Sequence, residues 1–114
     1  MKFEPQQTHS LSPILSVLEA QGKVLAKARH AYLLKEAERR HHEATLIKAS
    51  EGKSTAEKTI SAQATKEWLV FHQELARTES LYEFQRLKYS VLEKEFQAIY
   101  LELKIDSESI KRQV

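Results

Sequence analysis

The chain of 114 residues contains no cysteine, only 2 Gly and 2 Pro, and no long hydrophobic segment. Without cysteine it can form neither a disulfide nor a thiolate metal site or nucleophile, which fits a reducing compartment. No apolar segment approaches the roughly 20 residues that span a bilayer. The N-terminal sequence MKFEPQQTHSLSP also lacks the apolar core of a signal peptide. We therefore expect a soluble, intracellular protein with one domain.

Motifs that would indicate an enzyme are missing as well. The chain has no P-loop, no Gly-rich phosphate loop and no nucleophile motif. His41 and His42 are adjacent, so their side chains diverge on a regular helix and cannot chelate one metal ion. His72 has no carboxylate pattern near it in the sequence. We expect a non-enzymatic protein that uses no metal and no cofactor.

The scarcity of glycine and proline, with 30% charged residues, is typical of long helices joined by few turns. Ser12 as N-cap and Pro13 as first helical residue would begin a first helix. Gly52 can adopt the left-handed conformation that ends a helix. Ser54 and Glu57 fit the Ser-x-x-Glu capping box that begins a second one.

These signals predict an all-α fold, an antiparallel hairpin of two long helices that oligomerises through the C-terminal half of the second helix. We expect a single helical domain over residues 13–114. Its predicted parts are a tail at 1–12, a helix at about 13–50, a turn at about 51–54, a helix at about 55–105 and a short C-terminal tail. The alternative is one continuous helix with an exposed kink at the glycine.

The second helix carries a sustained heptad seam, in which mostly large apolar residues recur at alternating steps of four and three. The members of the heptad seam are Ile60, Ala64, Trp68, Phe71, Leu75, Thr78, Tyr82, Gln85, Tyr89, Leu92, Phe96, Ile99 and Leu103. A second stripe lies beside it and comprises Leu81, Leu87, Val91, Ala98, Leu101 and Ile105. One hairpin partner cannot cover both, so we expect the C-terminal half to contact other subunits.

The subunit contact should involve apolar residues from both of these patterns. The candidate assembly residues are Tyr89, Val91, Leu92, Phe96, Ile99, Leu101 and Leu103. The alternative is that the N-terminal tail folds back over this surface and covers it within one chain.

Charge is unevenly distributed, although the formal net charge is only +2. Residues 20–66 contain ten Lys/Arg against five Glu, whereas residues 67–110 contain five Lys/Arg against nine Asp/Glu. This asymmetry indicates a basic surface for an anionic partner and a separate acidic or assembly region.

Basic residues of the first helix recur on one helix face. The apolar stripe of this helix consists of Leu11, Ile14, Leu18, Leu25, Ala28 and Tyr32. The nearly opposite face carries the basic strip, which we define as Lys23, Lys27, His30, His41 and Lys48. Arg29 and Arg40 lie together on a flank, near the edge of the apolar stripe.

A basic strip of this kind can follow a phosphate backbone, because each neutralised phosphate releases counterions. Arginine adds a planar fork for phosphate oxygens, and an aromatic ring can stack on a base. The candidate DNA-binding residues are Lys23, Lys27, Arg29, His30, Tyr32, Arg40 and Lys48. Two alternatives stay open, since a basic face is usually a solvated face and an aromatic on an apolar stripe is more often part of the packing.

The segment EAQGKVLAKARHAY resembles the stretch around the Leu-Lys-Ala-Arg-Leu-Asp-Tyr motif of the UvsY-like recombination mediators of T-even-like bacteriophages. The matching residues are Glu19, Ala20, Gln21, Lys23, Val24, Lys27, Ala28, Arg29 and Tyr32. The motif's two leucines and its aspartate are replaced by Ala26, His30 and Ala31.

The resemblance implies a protein of the infected bacterial cytoplasm that binds single-stranded DNA. Such a protein helps to load a RecA-type recombinase onto DNA coated by single-strand-binding protein, and it forms a ring-like homo-oligomer. The resemblance assigns DNA contact to Lys27 and Arg29. The competing hypothesis is a coiled-coil scaffold or adaptor without nucleic-acid binding. A membrane-surface helix is a weaker third reading, because the hairpin needs the apolar side of the first helix.

Overall fold

A computed structural model of the chain describes the backbone of residues 3–113 and the side chains of residues 11–111. Within this range the chain forms three α-helices and no β-strand. Helix α1 is Phe3–Ala49, α2 is Thr55–Gln63 and α3 is Lys66–Gln113. The prediction of an all-α fold is confirmed.

Helix α1 begins well before the position expected from the sequence. The tail predicted at 1–12 is helical from Phe3 onward, so Ser12 is not an N-cap; Met1 and Lys2 lie outside the described residues. Pro13 is consequently inside the helix, where a proline removes one backbone hydrogen bond and costs about 3 kcal/mol. Proline is common in the first turn of helices, so the sequence around Pro13 also fits a helix start.

The expected second helix is two helices, because the chain turns at Ala64 and Thr65. The Thr65 Oγ1 accepts a hydrogen bond from the Trp68 N–H at 3.2 Å and so caps the start of α3. This cap was missed because the turn contains neither glycine nor proline. Helix α3 then continues to Gln113 instead of ending near residue 105, since no glycine or proline follows to stop it.

Residues 50–54 connect α1 to α2. The Ser54 side chain accepts a hydrogen bond from the Glu57 N–H at 3.2 Å, as expected for an N-cap. The Glu57 carboxylate accepts from the Lys53 N–H at 2.7 Å and not from Ser54, so the capping box is shifted by one residue. Gly52 has a φ of 158°, far from the left-handed helical value near +57°. It therefore turns the chain without forming the expected helix cap.

The helices contribute to two compact units. The central unit is Lys27–Glu83, and the terminal unit combines the chain up to Ala26 with the chain from Phe84 onward. The assignment of residues 13–114 to a single domain stays a prediction.

The central unit contains the buried hydrophobic side chains of the described residues, which are Ala28, Ala62, Phe71 and Leu75. Helices α1 and α3 run antiparallel here, since Tyr32 stacks on Tyr82 whereas His42, later in α1, stacks on Phe71, earlier in α3. The short helix α2 adds Ala62, which is 0% exposed. A third helix thus gives this unit a small core.

The terminal unit pairs the other parts of α1 and α3 and is packed less deeply. Gln21 Nε2 donates a hydrogen bond to Gln85 Oε1 at 2.6 Å. Leu11, earlier in α1, lines a cleft together with Leu103, later in α3, so the helices are again antiparallel. Among the described side chains of this unit, Gln21 is buried and no hydrophobic residue is.

The heptad seam of α3 is the face that packs against α1. From Trp68 to Leu103 each of its members is buried or half-buried. Ile60 and Ala64, which precede the Thr65 turn, are exposed and do not belong to this face. The second stripe is exposed at each of its positions, as expected if one helix partner covers only one face. No described helix combines the length and hydrophobicity needed to cross a membrane.

Replacing the two glycines by alanine should change stability in opposite directions. Gly22→Ala should raise the free energy of unfolding by about 1 kcal/mol, because alanine is the better helix former. Its Cβ would lie 3.5 Å from Tyr89 Cε2, an ordinary contact. Gly52→Ala should lower the free energy of unfolding, because its Cβ would lie 2.8 Å from the Lys58 backbone nitrogen. Urea unfolding followed by circular dichroism measures the free energy of unfolding of each variant. A change of the same sign in both variants would contradict the described packing.

Candidate nucleic-acid interface

Helix α1 carries all the candidate DNA-binding side chains, and the basic ones are exposed. Lys23 is exposed in the terminal unit. The exposed members in the central unit are Lys27, Arg29, His30, Arg40 and Lys48. Lys27, His30 and Lys48 face solvent because α1 uses its opposite face, which includes Ala28 and Tyr32, to pack against α3. Arg29 and Arg40 are exposed at the edge of that packed face.

Within the central unit these side chains follow two lines along α1. At 100° per residue, Lys27, His30 and Lys48 fall within about 60° of one another, and at 1.5 Å per residue they extend over about 30 Å. Arg29 and Arg40 form a second line roughly 110° away around the helix. A nucleic-acid strand that follows the basic strip would therefore meet the arginines only along its edge.

Two basic residues of α1 outside the basic strip, Lys35 and Arg39, are ion-paired. Lys35 Nζ lies 3.1 Å from Glu74 Oε2 on α3. Arg39 Nε lies 3.0 Å from Glu36 Oε1, one turn earlier in α1. Within the part of the chain that the structure describes, Lys27 has no such ion pair. The positive charge of the strip is therefore available to an anionic partner, whereas that of Lys35 and Arg39 is used inside the unit.

Tyr32 differs from the other candidates because packing already engages its ring. The ring stacks on Tyr82, with 5.8 Å between the centroids and 17° between the planes. Partial burial raises the pKa of the Tyr32 phenol above its usual value of 10.0. The carboxylates that raise this pKa further are those of Glu79, Glu36 and Glu83, and Arg39 opposes them. Negative charge beside the hydroxyl disfavours a nearby phosphate, so this geometry favours packing over base stacking.

A polar contact that the sequence did not indicate joins α1 to α3 in the central unit. His72 Nε2 lies 2.7 Å from Glu43 Oε2, and His72 Nδ1 lies 2.9 Å from the Trp68 carbonyl oxygen. A carbonyl oxygen only accepts, so Nδ1 carries a proton and donates it to Trp68. Glu43 is 29 residues from His72 in the chain, so no local sequence pattern indicates this pair. Only the tertiary packing of the two helices reveals the pair.

The adjacent histidines diverge, as expected. His41 is exposed, whereas His42 is half-buried and stacks on Phe71 with 4.3 Å between ring centroids. In the described part of the chain, no group of three or more His, Cys, Asp or Glu side chains is placed to hold a metal ion.

The candidate assembly residues separate into two groups. Val91 and Leu101 are open to solvent, at 50% and 55% exposure. The half-buried members, which belong to the heptad seam, are Tyr89, Leu92, Phe96, Ile99 and Leu103. The sequence combined both groups because periodicity alone does not indicate which face the partner helix of the same chain occupies.

No family model, curated protein or solved structure matches this chain. The resemblance to UvsY-like mediators therefore stays a prediction. The exposed basic side chains of α1 allow it to be tested by substitution.

The raised pKa of Tyr32 predicts a stability loss at alkaline pH. Because the folded state holds the phenolic proton more tightly than the unfolded chain does, stability should fall as pH rises above 10. Tyr32→Phe keeps the aromatic stack on Tyr82 and removes the phenolic proton, so it removes this part of the pH dependence of stability. Urea unfolding at pH 8 and pH 11, at constant ionic strength, should show a smaller loss for the variant than for wild type. An equal loss in both proteins would contradict the described environment of Tyr32.

Proposed function

We propose that this chain is a recombination mediator of the UvsY-like kind. It would be a non-enzymatic protein of the infected bacterial cytoplasm that binds single-stranded DNA. Its task would be to help a phage RecA-type recombinase replace the phage single-strand-binding protein on that DNA. The observation that best supports this proposal is the exposure of basic side chains along one helix, at Lys27, Arg29, His30, Arg40 and Lys48.

The proposed contact is with the DNA backbone. Lys27 and Lys48, at the two ends of about 30 Å of helix, can each neutralise a phosphate and release its counterions, which makes binding dependent on salt. The flanking arginines add bidentate hydrogen bonds to phosphate oxygens. Because Tyr32 is engaged by Tyr82, base stacking is a smaller part of this mechanism than phosphate contact.

Self-association is the second part of the proposal. A single basic strip binds weakly, but several strips in one homo-oligomer act at high effective concentration and raise the overall affinity. The C-terminal half of α3 would provide the subunit contact, and the exposed second stripe supports this assignment. The ring-like arrangement is what the resemblance to UvsY-like mediators implies.

The alternative function is a coiled-coil scaffold or adaptor without nucleic-acid binding. The exposed apolar surface of α3 is equally compatible with it, and the basic strip would then only keep the helix solvated. The two functions differ in one property, since only the mediator requires salt-sensitive binding of single-stranded DNA through α1.

Lys27→Ala/Arg29→Ala should weaken binding of a fluorescent single-stranded oligonucleotide. Each substitution should reduce the slope of log affinity against log salt by about 0.7 per protomer that contacts DNA, because one phosphate contact is lost. Both side chains are exposed, so the variant should keep the helix content and oligomeric state of wild type. Anisotropy across a salt series measures the binding, and light scattering measures the assembly.

A matched control is Lys104→Ala/Lys111→Ala, which removes the same charge from exposed positions on α3. This control should keep most of the affinity and the salt slope of wild type. Equal losses in the two double variants would indicate a nonspecific charge effect. Absence of DNA binding by folded wild-type protein at low salt would reject the mediator and leave the scaffold.

A further inference from the structure

We infer that α3 pairs with α3 of a second copy of this chain in antiparallel orientation, through an exposed heptad stripe centred on Lys94. This inference rests on the proposed self-association and is independent of DNA binding. The outer heptad, as we call this stripe, consists of Phe84, Leu87, Val91, Lys94, Ala98, Leu101 and Ile105. All seven residues are exposed and belong to the terminal unit.

The outer heptad has the spacing of a coiled-coil contact. Its members alternate steps of three and four residues over three heptads, and all except Lys94 are apolar. Each lies two positions after a member of the heptad seam that packs against α1, which places the outer heptad about 150° around α3 from that seam. Helix α1 therefore cannot cover it, and Leu87 and Ile105 remain 66% and 63% exposed.

Charge complementarity supports a second copy as the partner. Lys88 and Glu102 are exposed, and they are separated by two heptads, so they lie on the same flank of the outer heptad near its two ends. In an antiparallel pair, Lys88 of each copy lies near Glu102 of the other, and the attraction occurs twice. Lys88 is positioned beside the stripe, with its Nζ 6.0 Å from the centroid of the Phe84 ring.

Lys94 selects the orientation of the pair. A parallel pair in register would place Lys94 of one copy directly against Lys94 of the other inside the contact. An antiparallel pair with its two-fold axis near residues 93–96 instead brings Lys94 close to Glu95 of the second copy. A single lysine in a heptad core specifies register and oligomer state at a cost in stability. The contact is two-fold and closes on itself, so it joins copies in pairs, and a ring of several subunits would need a second, different contact.

Distance measurements between spin labels test the orientation. The chain has no cysteine, so Glu108→Cys, one step of three residues beyond the outer heptad, and Glu93→Cys, beside it, each provide one labelling site on α3. In the antiparallel dimer, the two labels at 108 should be about 40 Å apart, because each lies about 14 residues from the axis. The labels at 93, close to the axis, should be near each other. A parallel dimer would give short distances, of the order of 10–15 Å, at both sites.

The outcomes separate this inference from the proposed function. A monomer in light scattering would overturn both the self-association and the pairing. An oligomer with a short distance at 108 would overturn only the antiparallel pairing and leave the proposed self-association standing. DNA binding, measured separately by anisotropy, bears on the mediator function and not on this contact.

Two substitutions in the outer heptad should change the strength of dimerisation in opposite directions. Leu87→Glu should weaken dimerisation about tenfold or more without loss of helix content, because Leu87 is exposed in the single chain and buried only in the pair. Lys94→Leu should strengthen dimerisation. It should also add a population with a short distance between the two labels at position 108, since two lysines would no longer face each other in a parallel pair. An unchanged dimer in both variants, with circular dichroism like that of wild type, would show that the outer heptad is not the contact.

Discussion

Two packed helices bury only one face of each other, and most features of this chain depend on that limit. The side of α3 that meets α1 is half-buried, and the other side stays open because residues 3–113 form no further long helix that could cover it. In the central unit, the short helix α2 supplies a third element and a small core forms around Phe71 and Leu75. In the terminal unit no described hydrophobic side chain is buried. This incomplete burial is the physical reason to expect self-association.

The same limit divides the basic residues of α1 by their role. Lys35 faces α3 and lies near the carboxylate of Glu74 on that helix, so its charge contributes to the packing of the central unit. Lys27 and Lys48 point away from that contact and remain hydrated. Desolvation costs little when a phosphate approaches such groups, because long exposed side chains can keep much of their water. Tyr32 lies on the packed side and among carboxylates, which separates it from the strip despite its nearness in sequence.

Local patterns predicted much of the fold, and they failed where a local signal was weak or ambiguous. The heptad period located the packed face of α3 from Trp68 to Leu103, because a side-chain pattern with that period needs a partner helix along its length. The turn before Ser54 was also readable, since glycine and a capping serine disfavour continued helix. The break at Thr65 was missed because its only signal is a threonine hydroxyl. The expected helix start at Pro13 is wrong. Proline is favourable in the first turn of a helix, but it also occurs in the interior at a cost in stability, as Pro13 does here.

Composition and periodicity are enough to establish that this protein is helical, that its positive charge is concentrated in the first half, and that α3 carries more apolar surface than one helix can cover. Periodicity and composition are properties of the chain, so folding is not required to observe them. The packing of the helices sets which of these surfaces remain open. It assigned Tyr89 and Leu92 to the contact with α1 and left Val91 and Leu101 exposed. It also brought Glu43 to His72, because side chains far apart in sequence become neighbours only when two helices pack.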